Sequence, residues 1–144
     1  MYDISGKISL QNKTTKAVLR ERLIEGLQRL SAEAYISDEN GAVEFKPAPK
    51  NRGKHPLKNI TIGQISLAMD EAQTYVTQLN YRLSLLQMRI SLLTISLAIW
   101  AYSLIRGYNF WTPLAIIILA WIFGYAFSIL TIRSRFQNFL QTVD

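Results

Sequence analysis

Cysteine is absent from this chain, and histidine occurs once, at His55. The first absence excludes disulfides, thiol nucleophiles and cysteine-bound zinc. A single histidine argues against the usual histidine-rich metal sites. The sequence also lacks a glycine-rich phosphate loop and a nucleophile elbow, and its adjacent carboxylates lie in predicted turns, where they rarely converge on a substrate. We therefore expect a protein that is not an enzyme and that uses no metal and no cofactor.

Charge is almost missing from one region, because Arg106 is the only charged residue between Ile90 and Ile132. At a rise of 1.5 Å per residue, the apolar stretch after Arg106 spans ~31 Å and the one before it ~24 Å, beside a hydrocarbon core of ~30 Å. The shorter stretch can be extended by snorkelling of the flanking arginines. The alternative, two buried helices in a soluble protein, needs a larger domain than this chain can build.

The sequence thus predicts a two-helix transmembrane hairpin at the end of the chain. The predicted segments are a first transmembrane helix at 86–106, a tight extracytoplasmic turn at 107–111, a second transmembrane helix at 112–133 and a cytoplasmic tail at 134–144. Arginines are denser beside the outer ends of the two helices than in the turn. The positive-inside rule then places both termini in the cytoplasm, in the inner or plasma membrane if the protein is bacterial. The start of the chain lacks a signal peptide, so we expect the two helices to direct insertion.

Residues 1–85 are predicted to form a small cytoplasmic α+β domain, an antiparallel sheet of about five strands with one helix. In chain order, the elements are a strand at 4–10, a helix at 15–33, a hairpin at 35–46 turning at Asn40-Gly41, and strands at 60–69 and 75–85. The strands are predicted from alternating polarity. The helix is predicted from an apolar stripe at helical spacing, formed by Leu19, Leu23, Leu27, Leu30 and Ala34. A phase change at Gly63-Gln64 predicts a β-bulge. The last strand runs almost directly into the first transmembrane helix.

A basic segment stands out in the domain. Lys46, Lys50, Arg52, Lys54 and Lys58 fall within thirteen residues that contain no acid. Anionic lipid headgroups, a phosphate-bearing ligand and an acidic protein surface are all possible partners, and a solvated loop is the plain alternative. Lipid is the favoured partner, because the domain would be tethered at the cytoplasmic face. Nucleic acid is not favoured, since no aromatic side chains are interleaved with the charges.

Four aromatic residues flank the predicted turn: Trp100, Tyr102, Tyr108 and Trp111. Such a cluster is typical of the aromatic belt at a membrane interface. Neither predicted span contains Asp, Glu or Lys, which argues against a proton-coupled transporter. A pore lined by hydroxyl groups and built by oligomerisation remains open.

Small residues recur at four-residue spacing in the second span, at Ala120, Gly124 and Ser128. Such a stripe lets another helix approach closely. The stripe is explained equally well by packing within the hairpin, through Ala98 and Ala101, and by self-association or docking on a larger membrane protein.

Taken together, these patterns favour a non-enzymatic, membrane-anchored interaction module, either a small subunit of a membrane complex or a homo-oligomer. The alternative is a ligand- or partner-gated membrane effector, an oligomeric pore or membrane-disrupting protein whose soluble domain acts as the sensor. The short link between the last strand and the first span would couple the two parts. A lipid-modifying enzyme is a third class, but the sequence offers no reactive group for it.

Overall fold

The computed structural model describes residues 2–37, 39, 41–48 and 55–144, and these form an α+β structure of one five-stranded antiparallel sheet and three helices. The elements are β1 (Ile4–Thr14), α1 (Lys16–Arg29), β2 (Ala32–Ile36), β3 (Val43–Pro47), β4 (Ile62–Met69), β5 (Val76–Ser84), α2 (Leu86–Ile105) and α3 (Trp111–Val143). Within α3, a π-helical turn at Ala120–Tyr125 joins two α-helical parts. The α+β class and the antiparallel sheet are confirmed, and α2 and α3 are long and apolar enough to cross a membrane.

The strands lie in the order β1-β5-β4-β3-β2. The first and last strands of the chain are therefore neighbours, and their register pairs Ile4 with Leu83. This pairing brings the start of the chain beside Leu85 and the first turn of α2. Asp3 is held there through its backbone N–H, which donates to the carbonyl of Leu83 at 2.8 Å.

One face of the sheet is apolar and covered by helices. Alternate residues of β5, such as Leu79, Tyr81 and Leu83, point into this core because successive side chains of a strand face opposite ways. The fully buried leucines of α1, which recur every fourth residue, close part of it: Leu19, Leu23 and Leu27. The leucine stripe that predicted α1 is thus its packed face.

The helix boundary predicted at residue 33 is wrong, because α1 ends at Arg29 and residues 32–36 form β2. Ser31 ends the helix with a positive φ of 57°, and its N–H donates to the carbonyl of Gln28 at 2.9 Å. Ala34, assigned by its spacing to the helical stripe, instead pairs with Phe45 of β3. A single alanine is compatible with both the helical period and the strand period, and pairing with β3 makes this segment a strand.

The bulge predicted at Gly63-Gln64 is also wrong. The register runs through Gly63 on both sides, and the irregularity of β4 lies at Ala68 and Met69. A Cβ at Gly63 would overlap the ring of Phe45 on the neighbouring strand. Glycine is therefore needed here to admit an aromatic ring, which is another reason for glycine inside a strand.

The segment predicted as a tail continues α3 to Val143 and helps to build the core. Phe136 is fully buried, with its ring stacked 5.6 Å from Phe45 and edge-on at 5.2 Å from Tyr81. The buried positions recur at helical spacing: Ile132, Phe136, Phe139 and Leu140. We call the described residues of 2–85 together with residues 132–144 the sheet domain, and residues 86–131 the hairpin.

Candidate functional site: the hairpin and its junction with the sheet

The hairpin exposes large apolar side chains on nearly all sides. They include Ile90, Leu97 and Ile105 of α2 and Ile116 and Phe123 of α3. Monomeric soluble proteins rarely leave contiguous apolar patches of this size uncovered. A surface of this kind is what a lipid-facing pair of helices presents.

Five polar side chains of the hairpin show how its polar groups are paired. The indole N–H of Trp121 donates to the hydroxyl of Ser96 at 3.0 Å and so links α3 to α2. The hydroxyls of α2 donate to carbonyls one turn earlier in their own helix: Ser91, Thr94, Ser96 and Ser103. Such pairing is what an apolar medium requires, because an unpaired polar group there is costly.

The stripe of small residues is not packed against α2 at its centre. Gly124 is exposed, and apart from its chain neighbours and the backbone of its own helix, no described atom comes within 4 Å of the position that a Cβ would take. Ala120 is also exposed and Ser128 is half-buried, while Ala98 and Ala101 of α2 are exposed. Packing within the hairpin therefore gains no support at Gly124. Self-association through this stripe stays a prediction.

All four residues of the predicted aromatic belt are exposed: Trp100, Tyr102, Tyr108 and Trp111. Arg106, the charge in the turn, donates from Nε to the hydroxyl of Tyr102 at 3.2 Å. Its guanidinium carbon lies 5.5 Å from the centre of the same ring, within reach of a cation–π contact. The exposed aromatic rings and the one charge thus lie together around the turn. Their position at a membrane interface stays a prediction.

At the opposite end of the hairpin, Asp3 joins three distant parts of the chain. One carboxylate oxygen, Oδ2, accepts a hydrogen bond from the backbone N–H of Leu85 at 2.7 Å, and Oδ1 accepts one from the Tyr125 hydroxyl at 3.0 Å. Arg89 forms an ion pair with the same carboxylate, with Nε 3.2 Å from Oδ1. We call Asp3, Arg89 and Tyr125 the junction cluster.

Because Arg89 is paired in the junction cluster, the length of α2 that suits an apolar medium can be counted from Leu86 instead of Ile90. The paired side chains are shielded, with Asp3 6% and Arg89 28% exposed, and the ion pair carries no net charge. Arg89 is the residue that limits the uncharged sequence to Ile90–Ile105. Once Arg89 is paired, the whole of α2 from Leu86 is available, and its 20 residues span ~30 Å.

The first turn of α2 is tied to the sheet at a second point. The backbone N–H of Gln87 donates to the hydroxyl of Thr61 at 3.1 Å, while the N–H of Thr61 donates to the carbonyl of Ser84 at 2.8 Å. The first N–H groups of a helix have no hydrogen-bond acceptor inside the helix, so acceptors must come from outside it, often from side chains. Here the Asp3 carboxylate and the Thr61 hydroxyl, each just before the first residue of a strand, are the acceptors. They fix the direction in which α2 leaves the sheet.

The basic segment is attached to this same end of the sheet. Lys46 is exposed near the end of β3, and Lys58 is half-buried in the turn before β4, whereas Lys50, Arg52 and Lys54 lie outside the described residues. The chain leaves the sheet at Pro47 and re-enters it at Ile62. Ile62 pairs with Ser84, two residues before α2 begins. The flanks of the basic segment are therefore beside the start of the hairpin.

A groove of about 640 Å³ opens at this junction, between the ends of β2 and β3, the turn before β4 and the first turns of α2. Its polar walls include Lys46, Asn59, Thr61 and Gln87, and its apolar walls include Leu57 and Met88. We call this space the junction groove.

The uncovered face of the sheet carries a polar row that crosses all five strands in register: Ser5, Arg82, Gln64, Glu44 and Tyr35. The Gln64 side chain donates to one oxygen of Glu44 at 3.3 Å, and the Tyr35 hydroxyl donates to the other at 3.0 Å. The hydrogen bond from Tyr35 to Glu44 raises the pKa of the Tyr35 hydroxyl, because losing the hydroxyl proton would break this bond and place two negative groups together.

Within the described ranges, no three His, Asp or Glu side chains come together as a metal-binding group. The expectations of no metal, no cofactor and no catalysis stay predictions. A scan against protein-family models, a search of curated proteins and a search of solved structures each gave no match.

Proposed function

We propose that this protein is a non-enzymatic, membrane-anchored interaction module, with the hairpin inserted in the bilayer and the sheet domain held against its surface. The observation that carries the proposal is the continuity of α3, which runs from the exposed apolar hairpin to Phe136 in the centre of the sheet core. The anchor and the domain share one helix and cannot separate without opening that core. Pairing of Arg89 with Asp3 supports insertion, because charges near lipid are normally neutralised.

The proposed orientation has the sheet domain and both chain ends in the cytoplasm and the turn at Gly107 on the other side. The flanks of the basic segment lie at the hairpin end of the sheet, which favours contact with anionic headgroups of the cytoplasmic leaflet. In a bacterial cell this would be the inner membrane.

The interaction surface of the module is proposed to be the polar row, since no described helix covers that face of the sheet. Its partner would be another subunit of a membrane complex. Self-association through the small-residue stripe of α3 is a second route to assembly. Nucleic acid is not a favoured partner.

The test is affinity purification in mild detergent, comparing Arg82→Glu with Arg22→Glu. Both arginines are exposed, but Arg82 belongs to the polar row and Arg22 lies on α1, on the other side of the sheet domain. We expect a stoichiometric partner or a defined homo-oligomer with the native protein and with Arg22→Glu, and its loss with Arg82→Glu. A monomer without partners in every sample would contradict the module proposal. Equal retention by both variants would move the interface away from the polar row.

A gated membrane effector is the second candidate, and the junction cluster is the observation that favours it. Tyr125 ends the π-helical turn of α3 and is hydrogen-bonded to Asp3 of the sheet domain. Short π-helical segments often occur at functional sites. A partner bound to the sheet could therefore shift α3 at this point. An effector should depolarise cells when overexpressed and lose that effect with Asp3→Asn, whereas a passive module should leave the membrane potential unchanged.

A further inference from the structure

We propose that the junction groove holds the headgroup of one anionic phospholipid taken from the adjacent leaflet. The inference rests on the proposed insertion of the hairpin and specifies a ligand that membrane contact alone does not require. It differs from diffuse attraction of a basic loop to a charged surface, because it predicts a single, saturable and headgroup-selective site.

The position of the groove favours a lipid. One wall is formed by Gln87, Met88 and Ser91, in the first turns of α2, where the hairpin leaves the sheet. In the proposed orientation this is the level of the headgroups. The volume, about 640 Å³, lies within the range of small-molecule pockets, ~300–1,000 Å³.

The chemistry of the walls matches a phosphodiester. Lys46 supplies a cation at the groove, and the amide of Asn59 supplies neutral donors. The hydroxyl of Thr61 accepts from the N–H of Gln87, which leaves its own proton to donate. Glu33 is the one carboxylate among the described lining residues, and it is the cross-strand partner of Lys46. Arg89 is not part of this site, because Asp3 already pairs with it.

The apolar walls distinguish a lipid from free phosphate. Ala48 and Met88, both half-buried, line the groove, and Ile95, one turn beyond Ser91 on the same side of α2, is exposed. Acyl chains leaving the groove could follow this side of α2 towards the bilayer core. A soluble phosphate would leave the apolar walls in water, which is unfavourable in proportion to their area.

The experiment is native mass spectrometry of the full-length protein in detergent, titrated with phosphatidylglycerol, phosphatidylcholine or glycerol 3-phosphate. We expect one saturable phosphatidylglycerol adduct, weaker phosphatidylcholine binding and no retained glycerol 3-phosphate. Lys46→Glu should weaken phosphatidylglycerol binding by more than about fivefold, since one cation near a lipid surface contributes ~1 kcal/mol, a factor of about five, and this substitution also adds a negative charge. Lys7→Glu, the same charge change at an exposed position of β1, should leave binding unchanged.

Equal affinity for both lipids, or equal loss in both variants, would overturn the inference. Equally tight binding of glycerol 3-phosphate would identify a soluble phosphate ligand and would also overturn it. Lys46→Gln removes the charge without reversing it and should lose less binding affinity than Lys46→Glu. It tests the same contact if the glutamate variant fails to fold. Alkaline extraction of membranes separates the two proposals. A protein released by this treatment refutes membrane anchoring, whereas a retained protein without lipid preference refutes only the lipid site.

Discussion

Asp3 contacts the backbone of Leu85, Arg89 of α2 and Tyr125 of α3 through one carboxylate, although Leu85 and Tyr125 are 82 and 122 positions away in sequence. Its hydrogen bonds satisfy a backbone N–H at the start of α2 and a tyrosine hydroxyl, and its charge balances Arg89. Removing one partner of a shielded ion pair leaves the other charge without compensation, which is why such losses are costly. The junction cluster should therefore behave as a unit rather than as independent contacts.

A double-mutant cycle on Asp3→Ala and Arg89→Ala tests this coupling. We expect Asp3→Ala alone to be the most destabilising variant, because it leaves Arg89 unpaired and also removes the acceptor of the Leu85 and Tyr125 hydrogen bonds. Adding Arg89→Ala to it should recover part of the loss. The coupling free energy should be about 0.5–3 kcal/mol, the range for residues in one ion-pair network. Thermal unfolding in detergent provides the measurement, and strictly additive effects would show that the pair does not interact.

Gly63 provides a second test at the scale of one residue. Gly63→Ala should destabilise the protein by about 1–3 kcal/mol, because the new methyl group overlaps the ring of Phe45 and the packed sheet must shift. Gly124→Ala is the matched control, since its Cβ meets open space and alanine favours a helix. Combining Gly63→Ala with Phe45→Leu should cost less than the sum of the two single substitutions, because the smaller side chain leaves room for the methyl group. Equal melting temperatures for the two alanine variants would contradict the close approach of Phe45.

At the scale of elements, α3 belongs to two environments. Its first half exposes apolar side chains, whereas its second half buries its apolar face in the sheet core and exposes the opposite face. The length and composition of the first half were enough to predict a candidate membrane span. The second half has its own signal, apolar residues at 132, 136, 139, 140 and 143, but the prediction ended the helix at 133 and missed it.

Two phenylalanines of α3 allow the same substitution to be compared in the two environments. Phe136→Ala should cost about 3–5 kcal/mol, the range for removing a buried ring, because its contacts with Phe45 and Tyr81 are lost. Phe127→Ala, at a position 72% exposed, should change the free energy of unfolding by less than about 0.5 kcal/mol. Limited proteolysis of the sheet domain in detergent reports both effects. Equal sensitivity of the variants would mean that the end of α3 does not pack on the sheet.

Sequence patterns were reliable where one period dominated. The alternation in β5 and the leucine stripe of α1 predicted elements close to those observed, Val76–Ser84 and Lys16–Arg29. They failed at Ala34 and Gly63, where a small residue fits more than one local structure and the neighbouring strand decides. A sequence pattern does not show which side chain lies opposite a residue on the neighbouring strand. The role of Gly63, which makes room for the ring of Phe45, could therefore not be inferred from it.

For the whole molecule, the fold class and the two apolar helices were predictable because both depend on composition over many residues. The strand order was not, since pairing of β1 with β5 joins segments about seventy residues apart. The junction cluster depends on that pairing, so it too was beyond sequence reasoning. The basic segment was identifiable in sequence, but its attachment beside the start of α2 follows only from the topology.

The central claim is that the hairpin crosses a bilayer with the sheet domain on one side and the turn on the other. The native chain has no cysteine, so Asn109→Cys in the turn and Ser66→Cys on β4 each introduce a single thiol. The measurement is labelling with a membrane-impermeant maleimide in intact cells and after permeabilisation. We predict that Cys at position 109 reacts in intact cells and that Cys at position 66 reacts only after permeabilisation. Equal labelling of both positions in intact cells would contradict the account.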